Sequence, residues 1–173
     1  ALLHLIQPVA RLKGRLEHGL TLWRERTTAS PQWNLAARRE LWSEKWGSPG
    51  DRLSAINTLA REQHKVVRVG GDYDDWDIEL CGGMGDARLV MAVEEHGAGK
   101  EMLRFRYWMK LPAVLSVVLG AGAVLAVLAA TEAAWAAAGV IGLGVLVTAV
   151  FSLRQAARGM AVFNTVLTQY HKE

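Results

Sequence analysis

Residues 111–130 read LPAVLSVVLGAGAVLAVLAA and residues 133–153 read AAWAAAGVIGLGVLVTAVFSL. Neither run holds an ionisable side chain, and only Thr131 and Glu132 stand between them. At 1.5 Å per residue, a helix of about 20 residues reaches across the hydrocarbon core of a bilayer, about 30 Å thick. The two runs therefore predict a transmembrane helical hairpin. Small residues recur at four-residue spacing, as Gly122, Ala126 and Ala130 and again as Ala134, Ala138 and Gly142. That spacing lets two backbones approach closely and pack by van der Waals contact. The competing reading, two buried helices of a soluble protein, is disfavoured by length, because the rest of the chain is short for covering both helices all round.

Working outward, Arg104, Arg106 and Lys110 precede the first run, Arg154 and Arg158 follow the second, and the connecting turn has no basic residue. By the positive-inside bias both ends are expected in the cytoplasm, which makes the chain a multi-pass protein of the inner (plasma) membrane. The chain has 173 residues, a formal net charge of +3 and 51% hydrophobic residues, and nearly all its charge lies ahead of the hairpin. About 80 residues, 30–109, are left for a water-soluble unit, near the lower limit for independent folding. Residues 154–173 are expected to form a cytoplasmic tail helix.

At the other end, Leu2, Leu5, Ile6, Val9, Leu12, Leu16, Leu20 and Trp23 recur every three or four residues, with Arg11, Lys13, Arg15 and His18 mainly on the other faces. Residues 1–29 thus read as an amphipathic basic helix lying on the anionic inner leaflet, the alternative being a helix docked on the small domain. The apolar stretch before Pro8 also fits the end of a further transmembrane helix. Without a charged segment ahead of it in this sequence, the stretch is not expected to be a secretory signal. The expected membrane-surface contacts are Arg11, Lys13, Arg15, Trp23, Arg104, Arg106, Lys110, Arg154 and Arg158, with the lipid bilayer as partner.

The soluble unit reads as α+β. Ser48-Pro49-Gly50-Asp51 is a turn leading into a helical pattern through Leu53, Ile56, Leu59 and Ala60. Upstream, Trp33, Leu41, Trp42 and Trp46 suggest another short helix, its indoles under the domain or at the membrane surface. Four strand candidates follow, at 65–69, 76–80, 87–94 and 102–108, separated by short Gly-rich turns that favour antiparallel neighbours. The expectation is a four-stranded antiparallel sheet with one face against the helix. Gly82-Gly83-Met84-Gly85 lacks a following helix and reads as a hairpin turn rather than a phosphate loop.

Few residues point to chemistry. Asp72-Tyr73-Asp74-Asp75-Trp76-Asp77 contains two Asp-x-Asp spacings, and Asp72, Asp74 and Asp77 are the candidate ligands for Mg²⁺ or Mn²⁺. A Gly-Gly-Asp turn entering a strand gives the same pattern with no ligand, and no metal site is assigned. Glu94, Glu95 and His96 cluster at a strand end without a distant partner to complete an acid–base set. No Gly-x-Ser-x-Gly, phosphate-binding Gly-x-x-x-x-Gly-Lys-Ser/Thr or His-Glu-x-x-His motif is present, and no catalytic residue is expected. Cys81 is the lone cysteine, so no internal disulfide forms, and it reads as a small buried or turn-flanking residue rather than a nucleophile. The basic residues sit beside the apolar helices rather than along a soluble face with stacking aromatics, which argues against nucleic acid as partner.

The run Gln7-Pro8-Val9-Ala10-Arg11-Leu12-Lys13-Gly14-Arg15-Leu16-Glu17-His18-Gly19-Leu20-Thr21-Leu22-Trp23-Arg24 resembles a segment in the C-terminal part of bacterial membrane glycosyltransferases of family 2. So does Met91-Ala92-Val93-Glu94-Glu95-His96-Gly97-Ala98-Gly99-Lys100, with the basic-aromatic strand and apolar hairpin after it. The resemblance implies the membrane-anchoring and accessory part of a sugar-transferring polypeptide. Its catalytic domain, using Mg or Mn with a nucleotide-sugar, would lie upstream of Ala1 and act as the partner of this chain. Gln155-Ala156-Ala157-Arg158-Gly159, the nearest match to the acceptor motif Gln-x-x-Arg-Trp, lacks the Trp and follows the hairpin, so Gln155 and Arg158 inherit no catalytic role. The alternative from another class is a stand-alone, membrane-anchored cytoplasmic binding or scaffold protein.

Overall fold

The computed structural model describes residues 29–63 and 66–172, an α+β protein with three helices and one five-stranded sheet. In chain order these are β1 (Ala36–Ser43), α1 (Pro49–Gln63), β2 (Val67–Val69), β3 (Ile78–Cys81), β4 (Asp86–Glu95), β5 (Glu101–Lys110), α2 (Ala113–Thr131) and α3 (Trp135–Tyr170). The sheet is antiparallel throughout, in the order β1-β5-β4-β3-β2. The expected amphipathic helix over 1–29, with Arg11, Lys13, Arg15 and Trp23, lies outside the described residues, apart from Ala29.

The expected short helix around Trp33, Leu41, Trp42 and Trp46 is instead strand β1, and the sheet has five strands rather than four. Its alternation is that of a strand: Ala37, Arg39, Leu41 and Ser43 face the helices, while Arg38, Glu40 and Trp42 face away. β1 pairs with β5 over eight consecutive residues, from Ala36↔Trp108 to Ser43↔Glu101, and this ladder fixes it as an edge strand. The four strands expected from sequence all form, with shifted ends.

α1 starts where the turn chemistry places it. Ser48 Oγ accepts from the Asp51 backbone N–H at 3.1 Å and donates to the Asp51 carboxylate at 2.7 Å, satisfying one of the helix's free N-terminal donors. Arg52, Ile56, Leu59 and Ala60 form its buried face. The domain core joins that face to Leu41 of β1, Ile78 and Leu80 of β3, Leu89 of β4, and Leu103, Phe105 and Tyr107 of β5.

A large share of that core comes from α3. The expected tail helix over 154–173 is not a separate element, because the second apolar run continues unbroken into it as one helix of 36 residues. Outside the domain its side chains are open, as at Val140 (74% exposed), Leu146 (60%) and Val150 (51%); from Ser152 on one face of the helix is buried in the domain, with Met160, Phe163 and Leu167 at 1% or less. Gly159 makes this possible: a Cβ there would stand 2.7 Å from Ala87 Cβ on β4. Phe163 packs on Tyr107, ring centroids 6.0 Å apart.

α2 and α3 pair as an antiparallel hairpin through the turn at Glu132–Ala134, where Ala133 takes a positive φ of 56°. Gly122 faces α3 closely enough that a Cβ would meet Val145 Cγ2 at 2.6 Å, the close approach expected of its small-residue stripe. Both helices are long and apolar enough to cross a membrane. α2 has no buried residue, and Val114, Val117, Val124, Leu125, Val127 and Leu128 are all more than half exposed. An apolar surface of this extent is far larger than a water-soluble monomer leaves open.

Candidate functional site

Three places in the described structure gather polar or aromatic side chains: the boundary between hairpin and sheet, the uncovered face of the sheet, and the end of the domain far from the hairpin.

At the boundary the β3–β4 turn presses against α3. A Cβ on Gly85 would lie 2.0 Å from the Ser152 carbonyl oxygen and 3.0 Å from the Ala156 nitrogen, so only glycine fits. Met84 donates its backbone N–H to Gln155 Oε1 at 3.0 Å, and Gly82 donates to Asp86 Oδ1 at 3.0 Å. The Gly82–Gly85 turn is thus a hairpin, as its sequence suggests, and its glycines serve close approach to the helix. Burial first, and then the Glu79 charge, push the Asp86 carboxyl above the ordinary carboxylate range. The Cys81 thiol is likewise pushed up, by burial and then by Asp86 and Glu79, which makes it a poor nucleophile.

Lys110 lies opposite Asp86 at the foot of β5, and Arg154 is exposed just past the apolar part of α3. Arg158 is one turn further on. The 29–35 segment also comes to this level: Gln32 donates its N–H to the Ala157 carbonyl at 2.9 Å, and Met109 donates to the Leu35 carbonyl at 3.0 Å. Trp33 (60% exposed) and Leu35 (74%) consequently stand open beside the boundary. An exposed indole there suits the headgroup layer of a bilayer.

The face of the sheet turned away from the helices carries Arg38, Glu40 and Trp42 on β1, Arg104, Arg106, Trp108 and Lys110 on β5, and Asp86, Arg88 and Glu94 on β4. Several of these charges are matched within the sheet. Arg104 reaches Glu94 at 2.6 Å and Glu40 at 3.3 Å. Arg88 holds the buried Glu79 at 2.7 Å, and Arg68 meets the same carboxylate at 3.2 Å. Arg38 and Arg106 differ: they lie directly opposite each other, and neither has a carboxylate partner among the described residues. Like charges directly opposite each other destabilise a strand pair. Arg106 rests over the Trp108 ring, 5.7 Å from its centroid. It stands four residues along β5 from Lys110, about 13 Å further from the boundary along the strand.

Of the candidate metal ligands, Asp74 and Asp77 are engaged with backbone. Asp74 Oδ2 accepts from the Gly71 N–H at 2.8 Å, closing the turn, and Asp77 Oδ2 accepts from the Met91 N–H at 2.7 Å, tying β3 to β4. Asp72 is exposed, as are Asp74 and Asp75; Asp75 pairs with Arg88 at 3.5 Å. No group of three or more potential metal ligands converges among the described residues. Nor do Glu94, Glu95 and His96 form an acid–base set: Glu94 serves Arg104, and His96 stacks edge-on against Trp42 at 5.3 Å.

The far end holds the feature least visible from sequence. Arg52 Nη2 bonds Glu101 at 2.5 Å, Ser43 Oγ at 3.2 Å and the Lys45 carbonyl at 2.6 Å, while Nη1 reaches the Tyr170 hydroxyl at 3.2 Å. Both ions of the pair are buried, Arg52 at 8% and Glu101 at 1% exposure. Beside them opens a cavity of about 450 Å³ lined by Trp42, Trp46, Arg52, Leu103, Tyr170 and His171, among others. Only the helical spacing of Arg52 with Ile56 and Leu59 hinted at an inward arginine. Comparison with protein-family models, with curated proteins and with solved structures gives no match.

Proposed function

We propose that the chain is a membrane-anchored platform. The hairpin crosses the inner membrane twice, both ends lie in the cytoplasm, and α3 holds the sheet at a fixed height above the bilayer. The observation that carries this reading is the change along one unbroken helix, from open apolar side chains such as Val140 and Leu146 to a fully buried set such as Met160 and Phe163. A helix shared between bilayer and domain core leaves no hinge between them. Lys110, Arg154 and Arg158 at the domain end, against Glu132 alone at the turn, support a cytoplasmic domain. Trp33 and Leu35 add an interfacial anchor, and Arg104 and Arg106 stand on β5 further from the boundary than Lys110.

In its finer form the platform serves a family 2-like glycosyltransferase, as the resemblance over 7–24 and 91–100 suggests. Nucleotide-sugar and Mg or Mn would then be handled by a catalytic domain of the same polypeptide, and this chain would position that domain over the membrane. The test is sugar transfer from labelled nucleotide-sugars into a membrane fraction. The polypeptide encoded by the native gene is expected to transfer label, and this chain expressed alone is not; transfer by this chain alone, or by neither, contradicts the finer reading. The cavity beside Arg52, Tyr170 and Trp46 favours a second reading, a stand-alone anchored binding protein, which predicts that the native gene encodes no other domain.

A further inference from the structure

We infer that the chain associates side by side with further copies of itself in the membrane, the acidic β2–β3 turn of one copy docking on the Arg38–Arg106 pair of the next. The inference rests on the anchored reading above, because anchoring gives every copy the same height and the same upright direction.

Three observations carry it. Arg38 and Arg106 are both exposed, face each other on the uncovered side of the sheet and have no carboxylate partner among the described residues. Such a pair calls for an anion from outside. The anion is poorly supplied by lipid headgroups. The polar layer of a bilayer is only about 5–8 Å deep on each side, whereas Arg106 lies about 13 Å along its strand beyond Lys110 at the boundary.

The chain itself presents an anion at the matching level. Ile78 pairs with Leu89, and Asp77 bonds the backbone of Leu89 and Met91, which sets residue 77 on the cross-sheet row of Val90, Arg106 and Arg38. The turn that ends in Asp77 carries Asp72, Asp74 and Asp75, all exposed, around a fully exposed Tyr73. Asp75 leans back to Arg88, one of the same face's arginines, so the acidic corner is turned toward that face.

The two patches lie toward opposite edges of the five-stranded sheet, centred roughly 14 Å apart across three strand spacings. Within one copy no carboxylate of the turn pairs with Arg38 or Arg106, its Asp75 being held by Arg88 instead, while a neighbour rotated about the membrane normal can bring its turn onto them. The contact is heterologous, so it generates rings or rows rather than a closed two-fold dimer.

Disulfide trapping of the full chain in liposomes tests this, with Cys81→Ser as background and cysteines at Ala36 and Tyr73, both exposed and each beside one patch. Ala36→Cys with Tyr73→Cys in one chain is expected to give a ladder of dimers, trimers and higher species under mild oxidation, and either substitution alone to give almost none. Adding Arg38→Glu and Arg106→Glu should cut the ladder roughly tenfold, and 0.5 M salt should weaken it, since exposed charges are screened. Mixing Ala36→Cys chains that carry both Arg→Glu changes with Tyr73→Cys chains that carry Asp72→Lys and Asp75→Lys should restore a crosslinked dimer. That reversal does not depend on either variant being as stable as the parent. A membrane-inserted chain that gives no ladder, a ladder indifferent to the arginine reversals, or crosslinks only to another protein would overturn the inference. Failure of the chain to insert at all would instead overturn the anchored reading beneath it.

Discussion

Gly85→Ala is the substitution that most sharply probes how the sheet is fixed to α3. The added Cβ would fall 2.0 Å from the Ser152 carbonyl oxygen and 3.0 Å from the Ala156 nitrogen. Both obstacles are backbone of α3, so no rotamer change relieves the clash; the turn or the helix must move by more than 1 Å to restore ordinary contact. Moving the turn strains the Met84–Gln155 and Gly82–Asp86 hydrogen bonds and opens the layer around Ala87 and Gly159. Overpacking of this kind costs about 1–3 kcal/mol. For a domain of this size each kcal/mol lowers Tm by about 4–8 °C, so a cost near 2 kcal/mol gives a fall of about 8–16 °C. Thermal unfolding followed by tryptophan emission in a mild detergent measures it. Gly50→Ala is the control: it sits in the first turn of α1 with only Ser48 Oγ near, at 3.9 Å, and should be neutral or slightly stabilising. A Gly85→Ala protein that melts with the parent would refute the described packing of turn on helix.

Other expectations follow from the buried charges and from the topology. Arg52→Met leaves Glu101 charged and buried without its partner, costing about 3–5 kcal/mol, whereas adding Glu101→Leu should recover most of the loss; denaturant unfolding of the two variants decides it, and equal stability of single and double mutants speaks against the pair. Because the Asp86 carboxyl is raised in the folded protein, it favours folding below the ordinary carboxylate pKa, and that contribution is lost as pH rises through the folded value. Asp86→Asn, which keeps the acceptor for Gly82, should therefore raise Tm at pH 7, with the gain shrinking toward pH ~4. In intact cells a membrane-impermeant thiol reagent should leave Tyr73→Cys unlabelled until lysis and should label Glu132→Cys at the hairpin turn, both in a Cys81→Ser background; the reverse pattern would invert the proposed orientation.

How far the fold could be read from sequence depended on which physical signal each segment carries. The two apolar helices and their close contact at Gly122 were legible, because long uncharged runs have few alternatives to helix, but the end placed at residue 153 was not. The strands after Gly70 were legible because period-two alternation meets Gly-rich turns there. β1 was not: Trp33, Leu41, Trp42 and Trp46 look like scattered indoles, and its alternation of Ala37, Arg39 and Leu41 puts an arginine on the helix-facing side. That arginine is held by Thr168 Oγ1 at 2.7 Å and by Asn164, partners 125 or more residues away that no local pattern shows. The second role of α3 was hidden for a similar reason. Met160, Phe163, Val166 and Leu167 have helical spacing, but only the sheet decides that this helix is core rather than tail. At the candidate sites, the Asp-rich turn reads from sequence as either turn or ligand set, and in the structure Asp74 and Asp77 accept hydrogen bonds from the backbone N–H groups of Gly71 and Met91, while the Arg52–Glu101 pair gave almost no sequence signal.

The central claim is that one rigid helix joins bilayer and domain. It is tested most directly by spin-label distance measurement on the full chain in lipid nanodiscs, with labels at Val140 and Thr165, both exposed on α3. Over 25 residues at 1.5 Å each, an unbroken helix predicts a single narrow distribution near ~38 Å, with the Val140 label in contact with lipid and the Thr165 label in contact with water. A broad or distinctly shorter distribution, or a Val140 label in water, would contradict it.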